Sequence, residues 1–225
     1  MSAQFVPGVG VLQWTEYFPA VVRGLPVALE LTAISLVLGY PLGLLLAVAI
    51  GRKSLLVRGV ALVLVEVGRG LPLLILLYLV YAGLPQLDIT PTAFVSASAA
   101  FTWSAAAYST EILRASLGSV PPGQVEAASA AGMNDQDSFR FVVLPQAARL
   151  ALPPLMNLAI IMFQATSLAF VVTVPEIMQR AYYAGTVSFD YLNVFLAAAV
   201  LYSVITIPSS VLVGLLEKRL GKYLA

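Results

Sequence analysis

Residues 121–145 read PPGQVEAASAAGMNDQDSFRFVVLP, a polar and alanine-rich interruption in a chain that is otherwise almost continuously apolar. Proline cannot continue a preceding helix but is well tolerated at the start of a new one, so the two opening prolines predict a helix start. Gly132 stands where a helix stop belongs, and Asn134 is a typical N-cap, with Asp137 in a capping-box-like position. The stretch therefore predicts a short helix, a tight glycine turn and a second helix.

The short helix would be narrow, because four of its residues have only a methyl side chain: Ala127, Ala128, Ala130 and Ala131. A thin helix can sit deep in a groove on another protein, where Glu126 would offer a carboxylate to a donor. Taken alone, a polar loop between two apolar segments more often only connects them. The residues by themselves leave both interpretations open.

The composition is that of an integral membrane protein and excludes a soluble domain. The 225 residues are 60% hydrophobic and 10% charged, with a mean hydropathy of +0.93. The net charge of +1 gives no basis for nucleic-acid binding. The absence of cysteine excludes disulfide and thiol chemistry, and the absence of histidine removes the commonest general base and metal ligand. We therefore expect no catalytic residue and no metal site, and a role in membrane transport.

Five apolar segments are long enough to cross a bilayer, and they cover residues 25–50, 60–82, 92–113, 151–174 and 192–216. The predicted fold class is an all-α integral membrane protein with five transmembrane helices in one domain, residues 25–216. Residues 1–24 predict an extracytoplasmic or interfacial segment without a cleavable signal peptide, and residues 217–225 a cytoplasmic tail. The segment between the last two spans predicts a loop.

The distribution of basic residues predicts the orientation, since cytoplasmic loops are enriched in lysine and arginine. One side holds Arg23 and Arg180. The other side holds Arg52, Lys53, Arg58, Arg114, Arg140, Arg149, Lys218, Arg219 and Lys222. The polar loop, residues 118–145, is therefore predicted to be cytoplasmic, with the N-terminus outside and the C-terminus inside.

Two charged pairs are spaced three residues apart on their helices, and charges at membrane depth are costly enough to indicate a role. Glu66 and Arg69 predict a pair that holds the second span to its neighbours, an interpretation we favour over direct substrate binding. Glu111 and Arg114 predict a pair that braces the polar loop. Gly68, Gly70 and Pro72 would make the second span bendable, which suits a gate. The first span carries a Gly-x3-Gly face that permits close helix approach.

Four further polar residues are candidates for a substrate pathway. Glu30 lies near the outer end of the first span, where it can reach water or face a cavity, and both interpretations stay open. Thr166 and Ser167 lie near the middle of the fourth span, where either hydroxyl can bond to the preceding turn instead. The amide of Gln164 at the same depth implies a polar cavity or an interhelical hydrogen bond.

The polar loop resembles the EAA loop of the membrane-spanning subunits of ABC importers, EAA-x3-G-x9-[IV]-x-LP. The matching residues are Glu126, Ala127, Ala128, Gly132, Val142, Leu144 and Pro145. The stretches RGLPLL, AYSTEILRASLGSVPPGQVEAASAAGM, VVLPQA and ALPPLMN follow the polar-amino-acid permease pattern in order, so the resemblance to this type I importer family covers nearly the whole chain. One segment departs from the pattern. In QATSLA, Gln164 and Ala165 replace the lysine and the acidic residue of the family's K-D-T-S-L-A segment. The partner subunit would then carry the charge that this chain lacks.

The resemblance implies that the short helix is a coupling helix that docks on a cytoplasmic ATPase through Gln124, Glu126, Ala127, Ala128, Gly132 and Met133. It implies a second permease subunit, identical or related, two ATPase subunits and an extracytoplasmic solute-binding protein, in a prokaryotic plasma membrane. The cargo would be a polar amino acid or a related solute. ATP and Mg²⁺ would bind the ATPases, because this chain has no G-x4-G-K-[ST] sequence and needs no cofactor of its own.

Two other functional classes fit the sequence less well than an importer subunit. A subunit of an ion-gradient-driven transporter or channel is disfavoured, because the chain has no inverted repeat and few ionisable residues at membrane depth. An intramembrane enzyme is disfavoured because there is no histidine or cysteine from which to build a site.

Overall fold

The computed structural model describes residues 14–221, and no strand occurs within them, so the all-α prediction is confirmed. The first part of the predicted N-terminal segment and Lys222 lie outside the described residues. The helices are α1 (Trp14–Val22), α2 (Leu25–Ile50), α3 (Leu55–Gly70), α4 (Leu73–Tyr78), α5 (Ala93–Gly118), α6 (Pro122–Ala130), α7 (Asp135–Ser138), α8 (Leu144–Ala165), α9 (Ile177–Ser188) and α10 (Tyr191–Gly221). Residues Leu79–Gly83 and Phe139–Val143 are π-helical, and Leu84–Leu87 and Thr166–Val172 are 3₁₀-helical.

The first predicted span, α2, lies directly against α5 because two glycines remove side chains from the contact. A Cβ atom at Gly39 would lie 2.8 Å from Cβ of Ala105, and one at Gly43 would lie 2.1 Å from Oγ of Ser109. The hydroxyl of Thr110 lies 2.7 Å from the Ala106 carbonyl oxygen of its own helix and 3.0 Å from the Gly43 carbonyl oxygen, so its one proton is shared between two acceptors, the second of which the close approach brings within reach. The prediction of a close helix contact at this Gly-x3-Gly face is confirmed.

Helix α5 is the centre of the fold, since α2, α3, α4 and α8 all pack on it. A Cβ at Gly68 would lie 2.6 Å from Cβ of Ala107, and the indole Nε1 of Trp103 donates to the Leu64 carbonyl oxygen at 2.9 Å. Outward-facing side chains of α2 such as Val37 and Leu45 stay about two-thirds exposed, at 69% and 66%. Such a surface suits lipid, where small residues and hydrogen bonds, rather than water, hold helices together.

Three helical stretches are long and apolar enough to cross a membrane: α2, the continuous run 135–172 and α10. A fourth is added if α3 and residues 73–87 form one span. Helix α5 has 26 residues, which at 1.5 Å per residue is about 39 Å and is long enough. Its serines and threonines make it less apolar than the others, so the count of five spans stays a prediction.

Two sequence predictions are wrong in their local structure. The second predicted span is not one helix, because the chain bends by 110° between α3 and α4. Leu71 and Pro72 are extended at this bend, and proline disfavours the helical conformation in the residue before it. The predicted loop after the fourth span contains helix α9, whose N-cap is Glu176. Helix α9 packs with α1 and α10 in a second core that includes Val21, Ile177 and Val194.

We expect Gly43→Ala to destabilise the protein, because the new methyl group would also lie 2.7 Å from the Ala106 carbonyl oxygen, which is backbone and cannot rotate away. Overpacking of this kind costs about 1–3 kcal/mol. The measurement is thermal unfolding of the purified chain in detergent. Gly59→Ala is the matched control, because nothing lies within 4 Å of its Cβ position. Equal melting temperatures for the two variants would contradict close packing of α2 on α5.

Candidate functional site

The polar loop folds as the sequence predicts, into helix α6, a glycine turn and helix α7. Gly132 has φ +82°, in the left-handed region that favours glycine. The amide of Met133 donates to the Ala128 carbonyl oxygen and that of Gly132 to Ser129, both at 3.0 Å, which is the bond pattern of a Schellman stop. Asn134 caps α7 by accepting from the Asp137 amide at 2.9 Å. Local sequence therefore sets both helix boundaries.

Helix α6 presents most of the predicted coupling residues to its surroundings. Gln124, Glu126, Ala127, Gly132 and Met133 are exposed, whereas Ala128 is buried. Within residues 14–221, the Glu126 carboxylate makes no hydrogen bond or ion pair. It is therefore free to accept from a donor on a partner.

The inner side of α6 rests on the start of the long helical run 135–172. The helix packs against residues 139–143, and Gln146 Nε2 donates to Gln124 Oε1 at 3.3 Å. Around this contact, Val125, Phe139 and Phe141 are exposed, and the guanidinium of Arg140 lies 5.5 Å above the Phe141 ring. The short helix is thus attached to a helical run that is long and apolar enough to cross a membrane.

Both predicted ion pairs are present, and the structure joins them into one cluster. Arg69 lies 3.9 Å from Glu66, and Arg114 lies 3.0 Å from Glu111. Glu111 also pairs with Arg69 at 3.2 Å, which connects α3 to α5 at the point where α3 ends. Sequence spacing predicts only the pairs within a helix, because the contact between helices depends on their packing.

A cavity of about 540 Å³ opens at the bend between α3 and α4. Its walls are residues 69–73 at the bend, Ser104 and Tyr108 of α5, Leu158, Ile161, Met162 and Ala165 of α8, and Leu168. Arg69 is the charged residue of this lining, and the remaining wall is mainly apolar. Arg69, predicted to form a structural ion pair, and Gly70 and Pro72, predicted to form a bendable gate, therefore lie on the cavity, and the cavity volume is typical of a small-molecule site.

The four predicted pathway residues lie beside this cavity or away from it. Gln164 is exposed, Thr166 is buried and donates to the Phe163 carbonyl oxygen at 2.7 Å, and Ser167 donates to the Gln164 carbonyl oxygen at 2.8 Å. Their neighbours Ala165 and Leu168 form the wall instead. Glu30 is exposed and does not line this cavity. A role for these four residues in substrate passage stays a prediction.

Sequence reasoning missed Ser104 and Tyr108 of the cavity, and it missed the buried carboxylate of Glu176. A serine among alanines on a helix has the pattern of a packing residue, so Ser104 carries no signal of its own. Tyr108 reaches the bend, where its hydroxyl donates to the Arg69 carbonyl oxygen at 3.5 Å. Glu176 follows a proline and precedes an apolar segment, a pattern that could have indicated a helix start.

Residues 39–222 match the protein family described as "Binding-protein-dependent transport system inner membrane component". A probable amino-acid ABC transporter permease protein of Bacillus subtilis is 36% identical over 208 residues, which cover 92% of each chain. The L-cystine transport system permease protein TcyB of the same organism is 36% identical over 211 residues, which cover 93% of this chain and 90% of the relative.

Among solved structures, the "Crystal structure of an amino acid ABC transporter with histidines" superposes with a TM-score of 0.89 and 33% sequence identity. The match covers 94% of this chain and 99% of that chain. With the family match over most of the length and the same helical architecture, the identification follows. The chain belongs to the inner-membrane components of binding-protein-dependent transport systems and has the fold of a type I ABC importer permease.

Proposed function

We propose that this chain is the membrane-spanning subunit of an ATP-driven importer of polar amino acids and that α6 couples it to the ATPase. The observation that carries the proposal is the geometry of α6. It is a nine-residue helix whose exposed side bears Glu126 and Ala127 and whose end is held by the left-handed Gly132. A thin helix with one unpaired carboxylate is suited to a groove that supplies a donor.

The path from α6 to the cavity supports a mechanical role for α6. It packs on residues 139–143, and the same helical run continues to Val172, with Leu158 and Leu168 facing the cavity. A displacement of α6 would therefore be carried along one continuous element to the cavity wall. Helices transmit such movements because packed interfaces have discrete arrangements and do not deform continuously.

The orientation and the partners follow from the same proposal. Helix α6, the turn after α2 and the end of α10 lie on the cytoplasmic side, because segments rich in lysine and arginine are kept on that side of the membrane. A second permease subunit, identical or related, completes the pathway beside the cavity at the α3–α4 bend. Two ATPase subunits dock on the two α6 helices, and a solute-binding protein delivers cargo from outside. ATP binds in the ATPases and not in this chain.

In the proposed cycle, the contacts between the two ATPase subunits differ between the ATP-bound state and the state after hydrolysis, and this difference drives the permease. ATP clamps the two ATPase subunits together, which draws the two α6 helices inward and turns the permease from inward-facing to outward-facing. Hydrolysis releases the clamp and resets the permease. A bound nucleotide can bias the two states only by its different affinity for them, and α6 transmits that bias.

We expect Glu126→Arg to weaken ATPase binding by about tenfold or more, which corresponds to about 1.4 kcal/mol, because it replaces an acceptor with a cation facing the same donor. The measurement is binding of the purified ATPase to the chain in nanodiscs, together with vanadate-sensitive ATP hydrolysis. Glu217→Arg is the matched control, since Glu217 is also exposed but lies at the far end of α10. Unchanged ATPase binding by Glu126→Arg would indicate that α6 only connects two membrane-spanning segments.

We also expect Gly132→Val to impair coupling more than Gly132→Asn. A left-handed conformation costs an ordinary residue about 1–2 kcal/mol, whereas asparagine tolerates it. Valine would therefore loosen the end of α6, and the comparison with asparagine separates this effect from that of adding a side chain at an exposed position of the predicted docking surface. The measurement is ATP hydrolysis stimulated by the solute-binding protein in the reconstituted complex. Equal stimulation in the two variants would show that the position of α6 does not depend on this turn.

A further inference from the structure

Glu176 is a fully buried carboxylate with three hydrogen-bond donors, and the proposed transport cycle does not use it. Its exposed fraction is 0%. Oε2 accepts from the Met178 amide at 2.7 Å, Oε1 accepts from the Gln179 amide at 2.7 Å, and the Tyr202 hydroxyl donates to Oε2 at 3.0 Å. The two amides belong to the first turn of α9, so Glu176 caps that helix, and the third donor connects it to α10.

The bond to Tyr202 continues to the end of α8. The Tyr202 hydroxyl also neighbours the Thr166 side chain, and the ring packs on Phe163 with centroids 5.4 Å apart. Thr166 is fully buried and is the first residue of the 3₁₀ segment that follows α8. Glu176, Tyr202 and Thr166 therefore form a row of neighbouring polar side chains, called the polar chain below, which runs from α9 through α10 to the 3₁₀ segment after α8.

The polar chain ends where the cavity wall begins. Ala165 and Leu168 line the cavity, and Thr166 stands between them at the change from α-helix to 3₁₀-helix. A 3₁₀ stretch has weaker hydrogen-bond geometry than an α-helix and often marks a hinge. A side-chain bond from Tyr202 to Thr166 would thus restrain the wall at a point where its own backbone is weakly restrained.

The direction of the bonds in the polar chain depends on the proton of Glu176. When the carboxyl is ionised, the Tyr202 hydroxyl must donate to it. When the carboxyl is protonated, it can donate to Tyr202, Tyr202 can donate to Thr166, and Thr166 donates to the Phe163 carbonyl oxygen, which lies 2.7 Å away. Every hydroxyl has an acceptor in both forms, but only in the protonated form can Thr166 also accept from Tyr202 and so be held from both sides.

We propose that Glu176 is a positioning residue for solute translocation, which holds the cavity wall through Tyr202 and Thr166 and releases it as the carboxyl ionises. The inference rests on the proposed function, because it assumes that solute passes along this cavity. It adds to that function a control by pH at a site outside the ATPase.

The surroundings of Glu176 favour its neutral form. Burial raises the pKa of the carboxyl to about 7, against the lowering effect of its hydrogen-bond donors. Exposed Arg23 and Arg180 on the neighbouring elements form no ion pair with it, Glu30 of α2 is exposed, and Asp190 bonds to Tyr17. The elbow between α1 and α2 seals the site, since a Cβ at Gly24 would lie 2.4 Å from the Glu176 carbonyl carbon.

The sign of the pH effect follows from the raised pKa. A carboxyl whose pKa is higher in the folded protein stabilises the fold most fully below its unfolded pKa, and this contribution is lost as pH rises to the folded pKa. The packed arrangement of the polar chain is therefore favoured at acidic pH and weakened as pH rises through about 7. Glu176→Gln remains neutral and can still donate to Tyr202, so it should not show this loss.

The first test is thermal unfolding of the full-length chain in detergent at about pH 5 and about pH 7.5, as a difference between wild type and Glu176→Gln. The melting temperature of wild type relative to the variant should fall as pH rises, since other titrating groups cancel in the difference. A difference that is the same at both pH values would overturn the proposal. This test does not require transport, so it stands apart from the proposed function.

The second test is ATP-driven uptake of a labelled mixture of the standard amino acids by the complete reconstituted transporter. For wild type, KM for the solute should rise about fivefold between about pH 6 and about pH 8. A fivefold change is at the low end of the changes in affinity that coupling between two sites produces. Tyr202→Phe, which keeps the ring and the α9 cap, should remove that rise, as should Glu176→Gln. Tyr17→Phe is the control, because it removes a hydroxyl donor to Asp190 outside the polar chain.

The outcomes separate the two proposals. Absence of uptake by wild type would contradict the proposed function and leave the unfolding test to decide on the polar chain. Uptake with a KM that rises equally in wild type, Tyr202→Phe and Tyr17→Phe would support the proposed function and overturn the positioning role. If Glu176→Gln does not accumulate in the membrane, Tyr202→Phe decides, since it leaves the helix cap in place.

Discussion

The close approach of α2 to α5 is the constraint on which the rest of the structure depends. Inside a bilayer, apolar burial cannot drive helices together, because lipid is as apolar as leucine, so association relies on fit and on hydrogen bonds. Gly39 and Gly43 supply the fit, and the bond from Thr110 to the Gly43 carbonyl oxygen supplies the polar contact. With α2 against one side, α5 is left to receive α3, α4 and α8 on its remaining surface.

This arrangement places the two candidate functional regions, α6 and the cavity, at opposite ends of one element. Because α8 packs on α5, Ala165 faces the bend between α3 and α4 and forms a cavity there. The other end of the same helical run, residues 139–143, carries α6. The proposed coupling needs a continuous path from the ATPase to the cavity, and the helical run 135–172 provides one.

Features set by adjacent residues could be predicted from the sequence, whereas those set by contacts between distant elements could not. The Gly132 stop and the Asn134 cap of α7 depend on local backbone geometry, and α2 has the predicted bounds. The sequence indicated a bendable second span but not its 110° angle, which depends on how α4 packs on α5. The link from Glu111 to Arg69 and the choice of Ala165 as a wall residue likewise depend on the packing of whole helices.

The most direct test of the account is site-directed cross-linking of α6 to the ATPase, which is practical because the chain has no native cysteine. Single cysteines at positions 124, 126, 127 and 128 would be paired with a cysteine in the ATPase surface, with and without ATP. We expect cross-links at the exposed positions 124, 126 and 127 that change with ATP, and little cross-linking at the buried Ala128. An actively hydrolysing complex without a cross-link at any of these positions would contradict the role of α6 as the coupling element.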